Sequence, residues 1–230
     1  MEKKPELSAI AKSLGVTFKN SELLAQALLH RSYLNEHTEI HSDNERLEFL
    51  GDAVLELIVT EYLYSHYPIP EGELTLLRSA LVKKDNLAAI ARKLDLGTYL
   101  YLSKGEEKSG GRKKSYLLAN AFEAVIGAIY LDQGMEEAQA FVIRTALSSL
   151  QEIIAQQLHI DSKSRFQEKA QAISGITPEY KLVTQAGPAH ERSFVMGVYL
   201  GEELIATGQG ASKQHAEQTA ARNALALKQW

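Results

Sequence analysis

Residues 44–57 read NERLEFLGDAVLEL, an apolar run with acids set into it. Wound as a helix, Leu47, Phe49, Leu50, Ala53, Val54, Leu55 and Leu57 cover nearly the whole circumference and leave little of it for water. Glu45, Glu48 and Asp52 nevertheless fall at i, i+3 and i+7, on one stripe. Glu48 and Asp52 are one turn apart, with Cβ atoms roughly 5–6 Å from each other. Like charges so close in a dry setting cost several kcal/mol or raise a pKa. A bound cation relieves both effects. For any one of these acids the ordinary alternative is a solvated edge.

A second apolar stretch, YLLANAFEAVIGAIYL at 116–131, is interrupted mainly by Asn120 and Glu123. They lie three apart, hence on one face, and Gly127 continues that face a turn later. Glycine weakens a helix but lets another backbone come close. Two apolar helices, each with oxygen donors on one stripe, are the makings of a metal site between helices. Carboxylate and amide oxygens suit Mg²⁺ or Mn²⁺ better than zinc. A satisfied buried amide is the plainer reading of Asn120 taken alone.

The chain of 230 residues is long enough for one large or two modest domains with real cores. It holds no cysteine, which excludes disulfides and thiolate metal sites and fits a cytoplasmic location. The charged start MEKKPELSAIAKSLG has no signal-peptide apolar region. No run approaches the ~20 apolar residues of a membrane span, so no membrane partner is expected. A net charge of −4 argues against nucleic acid, but the distribution is uneven. Residues 1–160 carry 17 basic against 22 acidic residues, and 161–230 carry 8 against 7. Basic residues gather at Lys104, Lys108, Arg112, Lys113 and Lys114 around Gly110-Gly111, just ahead of the Asn120 helix. Such a run is ordinarily a solvated loop.

Periodicity predicts helices near 6–13, 21–31, 43–66, 73–93, 115–131 and 135–157, with caps at Asn20 and Ser115 and stops at Pro68, Pro70 and Gly134. The pattern changes past a polar linker at 158–163. A short helix is expected at 164–174, then strands in which Tyr180, Leu182 and Thr184 share a face, as do Phe194, Met196, Val198 and Leu200. Gly201-Glu202-Glu203 reads as a turn and 204–207 as a third strand broken by Gly208 and Gly210. Ser212 caps a final helix with Ala216, Ala220, Ala224 and Leu227 on its apolar face. The fold class is therefore an all-α domain at 1–157 followed by a small α+β domain, α-β-β-β-α, at 164–230.

Both halves resemble one family, the bacterial ribonuclease III endoribonucleases specific for double-stranded RNA. ERLEFLGDA at 45–53 matches the family signature residue for residue, and EKSGGRKK at 107–114 is similar to the loop before its second catalytic helix. SRFQEKAQ, GPAHERSFVMGV and GQGASKQHAEQTAA in the second half look like a double-stranded-RNA-binding domain. The resemblance implies metal ligands at Glu48, Asp52, Asn120 and Glu123, with Asp52 and Glu123 central to catalysis. Glu45 and Glu71 support the acidic cleft. Bacterial members commonly carry Asp where Asn120 stands; the amide keeps an oxygen but removes a charge, which weakens metal binding.

The implied reaction is Mg²⁺-dependent hydrolysis (Mn²⁺ serving as well) that leaves 5′-phosphate and 3′-hydroxyl ends. A homodimer would cut the two strands with a two-nucleotide 3′ overhang, in ribosomal and messenger RNA processing. Ser164, Gln167 and His190 would touch minor grooves, and Ser212, Lys213 and Gln214 the phosphates between them. Two rivals stay open on the residues. A helical nucleoside-triphosphate pyrophosphohydrolase would also align carboxylates but gives no reason for the α-β-β-β-α segment. A duplex-binding protein that has lost cleavage through Asn120 would keep it. A di-iron bundle is excluded, because the helical half has no Glu-x-x-His.

Overall fold

A computed structural model describes residues 7–155, 161–188 and 192–230. The chain forms two compact units, 1–159 and 160–230. The first contains α1 (Leu7–Leu14), α2 (Ser21–Ala27), α3 (Glu45–His66), α4 (Glu71–Val82), α5 (Lys84–Lys93), α6 (Leu96–Tyr99), α7 (Lys104–Lys108), α8 (Ser115–Gln133), α9 (Met135–Arg144) and α10 (Leu150–Ala155). Single 3₁₀ turns occupy Arg31–Asn35, Gly111–Lys113 and Ala146–Ser149. No described helix is long and apolar enough to cross a membrane.

The axis of this unit is α8, whose residues from Leu117 to Ile129 are buried except Asn120 and Glu123. Phe122 packs on Phe141 of α9 with ring centroids 5.7 Å apart. Burying side chains of this size contributes about 1.5–3 kcal/mol each. Against α8 lies α3, and glycines on both sides set the spacing. A Cβ on Gly51 would stand 1.8 Å from the Glu123 carbonyl oxygen, and one on Gly127 2.3 Å from that of Leu47. Neither helix admits a side chain at the crossing.

Several local expectations need correction. The helix expected at 73–93 is two, α4 and α5, because Lys83 turns extended (φ −59°, ψ 136°). Its carbonyl then accepts from the Leu87 amide, while the Asn86 side chain caps the Leu81 carbonyl. Asn20 does cap α2 through the Glu22 amide. Ser115 does not cap α8; it is the first helical residue, and its hydroxyl accepts from Arg92 instead. The helix expected to run to 157 breaks after Arg144 into a 3₁₀ turn and α10.

α3 also departs from the all-round burial expected of it. Its stripe of Phe49, Ala53, Leu57 and Tyr64 faces solvent, with Phe49 82% and Tyr64 79% exposed. The core of this unit covers only the opposite side of the helix.

The second unit holds α11 (Ser162–Ser174), β1 (Glu179–Ala186), β2 (Ser193–Leu200), β3 (Glu203–Gly210) and α12 (Lys213–Lys228). The strands form one antiparallel sheet in the order β1-β2-β3. α11 starts two residues before 164 because Asp161 caps it, accepting from the Ser164 amide. Gly208 lies inside β3 and Gly210 is its last residue, so the strand runs past the break expected at 208. They are needed for close packing: a Cβ on Gly208 would sit 2.1 Å from the Ala220 nitrogen of α12. The expected alternation is not kept in β2, where Met196, Gly197 and Val198 are buried in succession and Phe194 and Leu200 are half-buried, and it fails in β1 as well. A bulge at Val183 shifts the register, and both Leu182 and Val183 are exposed. Phe166, Val198, Leu225 and the alanines of α12 make the small core, with Trp230 stacked on Phe166 at 5.3 Å.

Candidate functional site

The α3–α8 crossing brings Glu48, Asp52, Asn120 and Glu123 into one neighbourhood. Glu48 and Asp52 follow one another up α3, and Gly51 between them is the residue pressed on the Glu123 backbone. Burial lifts the Glu123 carboxyl to about 7, and the charges of Asp52 and Glu48 add to the rise. Lys84, the first residue of α5, acts in the opposite direction. Glu48 is also raised, first by burial and then by Glu45 and Asp52, while the neighbouring Asn120 amide draws it back down. Asp52 is exposed and the other three are half-buried. Among the described residues no three Asp, Glu or His side chains converge closely enough to hold a metal ion by themselves. The donor set of three carboxylates and an amide oxygen fits a hard divalent cation, which would offset the burial and the mutual repulsion that together raise Glu48 and Glu123.

Beside Glu48 and Asn120 opens a cavity of about 210 Å³, lined also by His30, Arg31, Asn44, Glu45, Leu100, Tyr116 and Leu117. Glu45 therefore stands at the site, bonded to Arg31 at 2.9 Å. Glu71 does not line this cavity. It begins α4, exposed, and accepts from the Thr75 hydroxyl. His30 is fixed by its backbone, which donates to the Tyr101 carbonyl at 3.1 Å, while Tyr101 donates back to Leu28 at 2.9 Å. Its ring Nδ1 accepts from the Ser32 amide at 3.3 Å and meets the Ser32 hydroxyl at 2.9 Å. Burial holds this imidazole below the usual histidine range.

Sequence reasoning missed His30, Arg31, Asn44, Tyr116 and Lys84. Asn44 opens the 44–57 stretch, yet its buried amide, donating to the Ala27 carbonyl, leaves no signal in spacing alone. Periodicity carries the second expected helix on to residue 31, whereas α2 ends at Ala27 and His30 caps the 3₁₀ turn at Arg31–Asn35, so helical spacing gave the HRS triplet no mark of a site.

The basic run ahead of α8 is only partly available to a partner. Arg112 donates to the carbonyls of Gly97, Thr98 and Leu100 and pairs with Glu107 at 2.7 Å. Lys114 bonds Glu106 at 2.6 Å and Ser109 at 2.8 Å. These two hold the loop together, whereas Lys104, Lys108 and Lys113 are exposed.

In the second unit Gln167, Lys213 and Gln214 are exposed on α11 and α12. The Ser164 hydroxyl bonds Asp161 at 2.7 Å, and that of Ser212 caps α12 through the His215 amide. His190 lies outside the described residues.

Comparison with known proteins agrees with both halves. The family described as Ribonuclease-III-like matches residues 20–150, and the double-stranded RNA binding motif matches 162–228. Ribonuclease 3 of Syntrophomonas wolfei is 50% identical over 212 residues, 90% of this chain and 89% of that protein. Ribonuclease 3 of Enterococcus faecalis is 47% identical over 213 residues, 92% of each. The solved nuclease domain of Campylobacter jejuni ribonuclease III, described for flexibility in a region involved in dimer formation, aligns with a TM-score of 0.57 at 43% identity. That alignment covers 60% of this chain and 94% of the solved domain.

Proposed function

The chain belongs to the ribonuclease III family of double-stranded-RNA endoribonucleases, and on that premise we propose that the α3–α8 crossing is its hydrolytic centre. The observation that carries this reading is the Glu123 carboxyl, lifted to about 7 beside two more acids at a helix crossing that two glycines keep tight. Glu48, Asp52 and Glu123 would hold Mg²⁺ (Mn²⁺ serving as well), with Asn120 as a neutral ligand or a holder of metal-bound water. When bound, the metal supplies an activated water at neutral pH and stabilises the charge on the departing oxygen. The protein's own part is to keep these oxygens on two rigid helices and to leave Asp52 open to the strand. Hydrolysis in this sense gives 5′-phosphate and 3′-hydroxyl ends.

The exposed Phe49, Leu57 and Tyr64 stripe supports a homodimer formed through α3, since a monomer has no use for large apolar groups at such exposure. Two sites related by a twofold would leave the two-nucleotide 3′ overhang. The second unit would grip the duplex by shape, with Gln167 at a minor groove and Lys213 and Gln214 at phosphates. Its substrates would be structured ribosomal and messenger RNA precursors in the cytoplasm.

A second reading, a duplex-binding protein with feeble cleavage, is favoured by Asn120, which leaves the centre one carboxylate short of a four-acid set. A long RNA duplex incubated with Mg²⁺ separates the two. Short duplexes with staggered 5′-phosphorylated ends are expected; protection of the duplex without cutting would establish the second reading.

A further inference from the structure

The cavity that opens beside Glu48 and Asn120 carries further groups that the hydrolytic centre does not use. Its volume of about 210 Å³ falls below the ~300–1,000 Å³ of pockets that take drug-sized ligands, so it suits one small unit of a nucleic-acid strand. That unit is either a phosphate or a sugar. Glu45 and Glu48 line the cavity against one cation, Arg31, whose guanidinium is already bonded to Glu45 at 2.9 Å. With Arg31 paired to Glu45 and Glu48 given to the metal of the hydrolytic centre, the lining offers a phosphate no free cationic side chain, whereas a neutral sugar hydroxyl needs none.

His30 supplies the matching donor. Its Nδ1 accepts from the Ser32 amide, and the Ser32 hydroxyl itself accepts from the Ser103 amide at 3.1 Å, leaving its own hydrogen for Nδ1. A neutral imidazole whose Nδ1 accepts carries its proton on Nε2. Nδ1 is therefore committed, and the ring's remaining N–H is that of Nε2, on a residue that lines the cavity. A hydroxyl both donates and accepts, and oxygens of Glu48 and Asn120 stand in the same cavity to receive its hydrogen. Leu100 and Leu117 give the apolar wall that a sugar ring's C–H face needs.

We propose that this cavity seats the ribose of a nucleotide flanking the cut, with His30 Nε2–H donating to its 2′-hydroxyl. The assignment rests on the α3–α8 centre being the hydrolytic site. It makes His30 a contact by which the helical unit itself tells RNA from DNA, since the 2′-hydroxyl is what separates them.

The test is a cycle between protein and substrate. Duplexes carrying one 2′-fluoro nucleotide, which keeps the A-form sugar pucker but removes the hydroxyl, are scanned through the two positions on each side of the cut. Wild type is expected to lose about 5- to 10-fold in cleavage rate at one of these positions, the scale of a single hydrogen bond. His30→Asn, which can still accept from the Ser32 amide but lacks the distal donor, is expected to lose the same factor on the all-ribose duplex. It should show no further loss at that position. His30→Gln, which returns an N–H near the place of Nε2, should recover part of the rate and of the 2′-fluoro penalty. A variant that merely loosens the fold would multiply with the substrate change at every position, and that result overturns the assignment. So does a scan in which no position slows wild type. If the all-ribose duplex is not cut at all, the hydrolytic reading falls and this one with it; a cut duplex with multiplicative penalties overturns the ribose assignment alone.

Discussion

α3 and α8 carry the same message in sequence and different fates in the fold. Both are apolar nearly all round, and both set oxygen donors on one stripe. α8 is enclosed by its own chain, with α3, α5 and α9 packed around it, so Asn120 and Glu123 stand out as its only half-buried polar residues between Leu117 and Ile129. α3 is enclosed on one side only and leaves Phe49, Leu57 and Tyr64 in water. An apolar stripe states that something will cover it. It does not state whether the cover belongs to the same molecule.

The largest effect is expected where the helices touch. Gly51→Val would place carbon against the Glu123 backbone, and overpacking of that kind costs about 3 kcal/mol. A urea melt of the variant should show this loss, and an unchanged midpoint would mean that the crossing is looser than described. Next comes Glu123→Ala, which should lower cleavage about 100-fold or more while leaving duplex binding intact in a filter assay. Equal loss of binding would remove Glu123 from the chemistry.

The same residue gives a pH signature in chelator. Glu123 titrates near 7 in the fold against an ordinary 4.5, so between those values the folded chain holds a proton that the unfolded chain has released. Stability therefore falls as pH rises through that window, by no more than about 2 kcal/mol once the remaining solvent screening is discounted. Glu123→Gln should be more stable than wild type at pH 8 and equal to it near pH 4. Parallel curves would show that the carboxyl is not raised.

Asn120→Asp restores a charge and should lower the Mg²⁺ concentration for half-maximal cleavage by about 10-fold. The smallest change in the isolated fold belongs to α3's open face. Phe49→Ser should alter monomer stability by no more than about 0.5 kcal/mol, because so little of the side chain is buried. Sedimentation should nevertheless show weakened self-association. A large stability loss with unchanged association would place that face inside the monomer.

The helix pair and the α-β-β-β-α order were readable because period and composition act locally, and the four-residue neighbourhood followed from stripes on two helices. What escaped depends on contacts remote in sequence. The break at Lys83 is stabilised by Asn86, whose amide reaches the Leu81 carbonyl and also Ser149. Gly208 and Gly210 looked like strand breakers because their reason is α12, packed on them from later in the chain. Burial of β1 was overestimated, since α12 lies chiefly over β2 and β3. Arg112 and Lys114 read as part of a solvated basic loop, whereas carbonyl and carboxylate partners remote from that reading hold them in place. His30 gave no sign at all, because its cavity is assembled from segments around 30, 44, 100 and 117.

The chain has a single tryptophan, and it is the last residue, stacked against Phe166. Indole emission therefore watches the carboxy-terminal unit alone. Scanning calorimetry compared with fluorescence on one untagged sample would resolve whether the two units melt together, with no label and no truncated form.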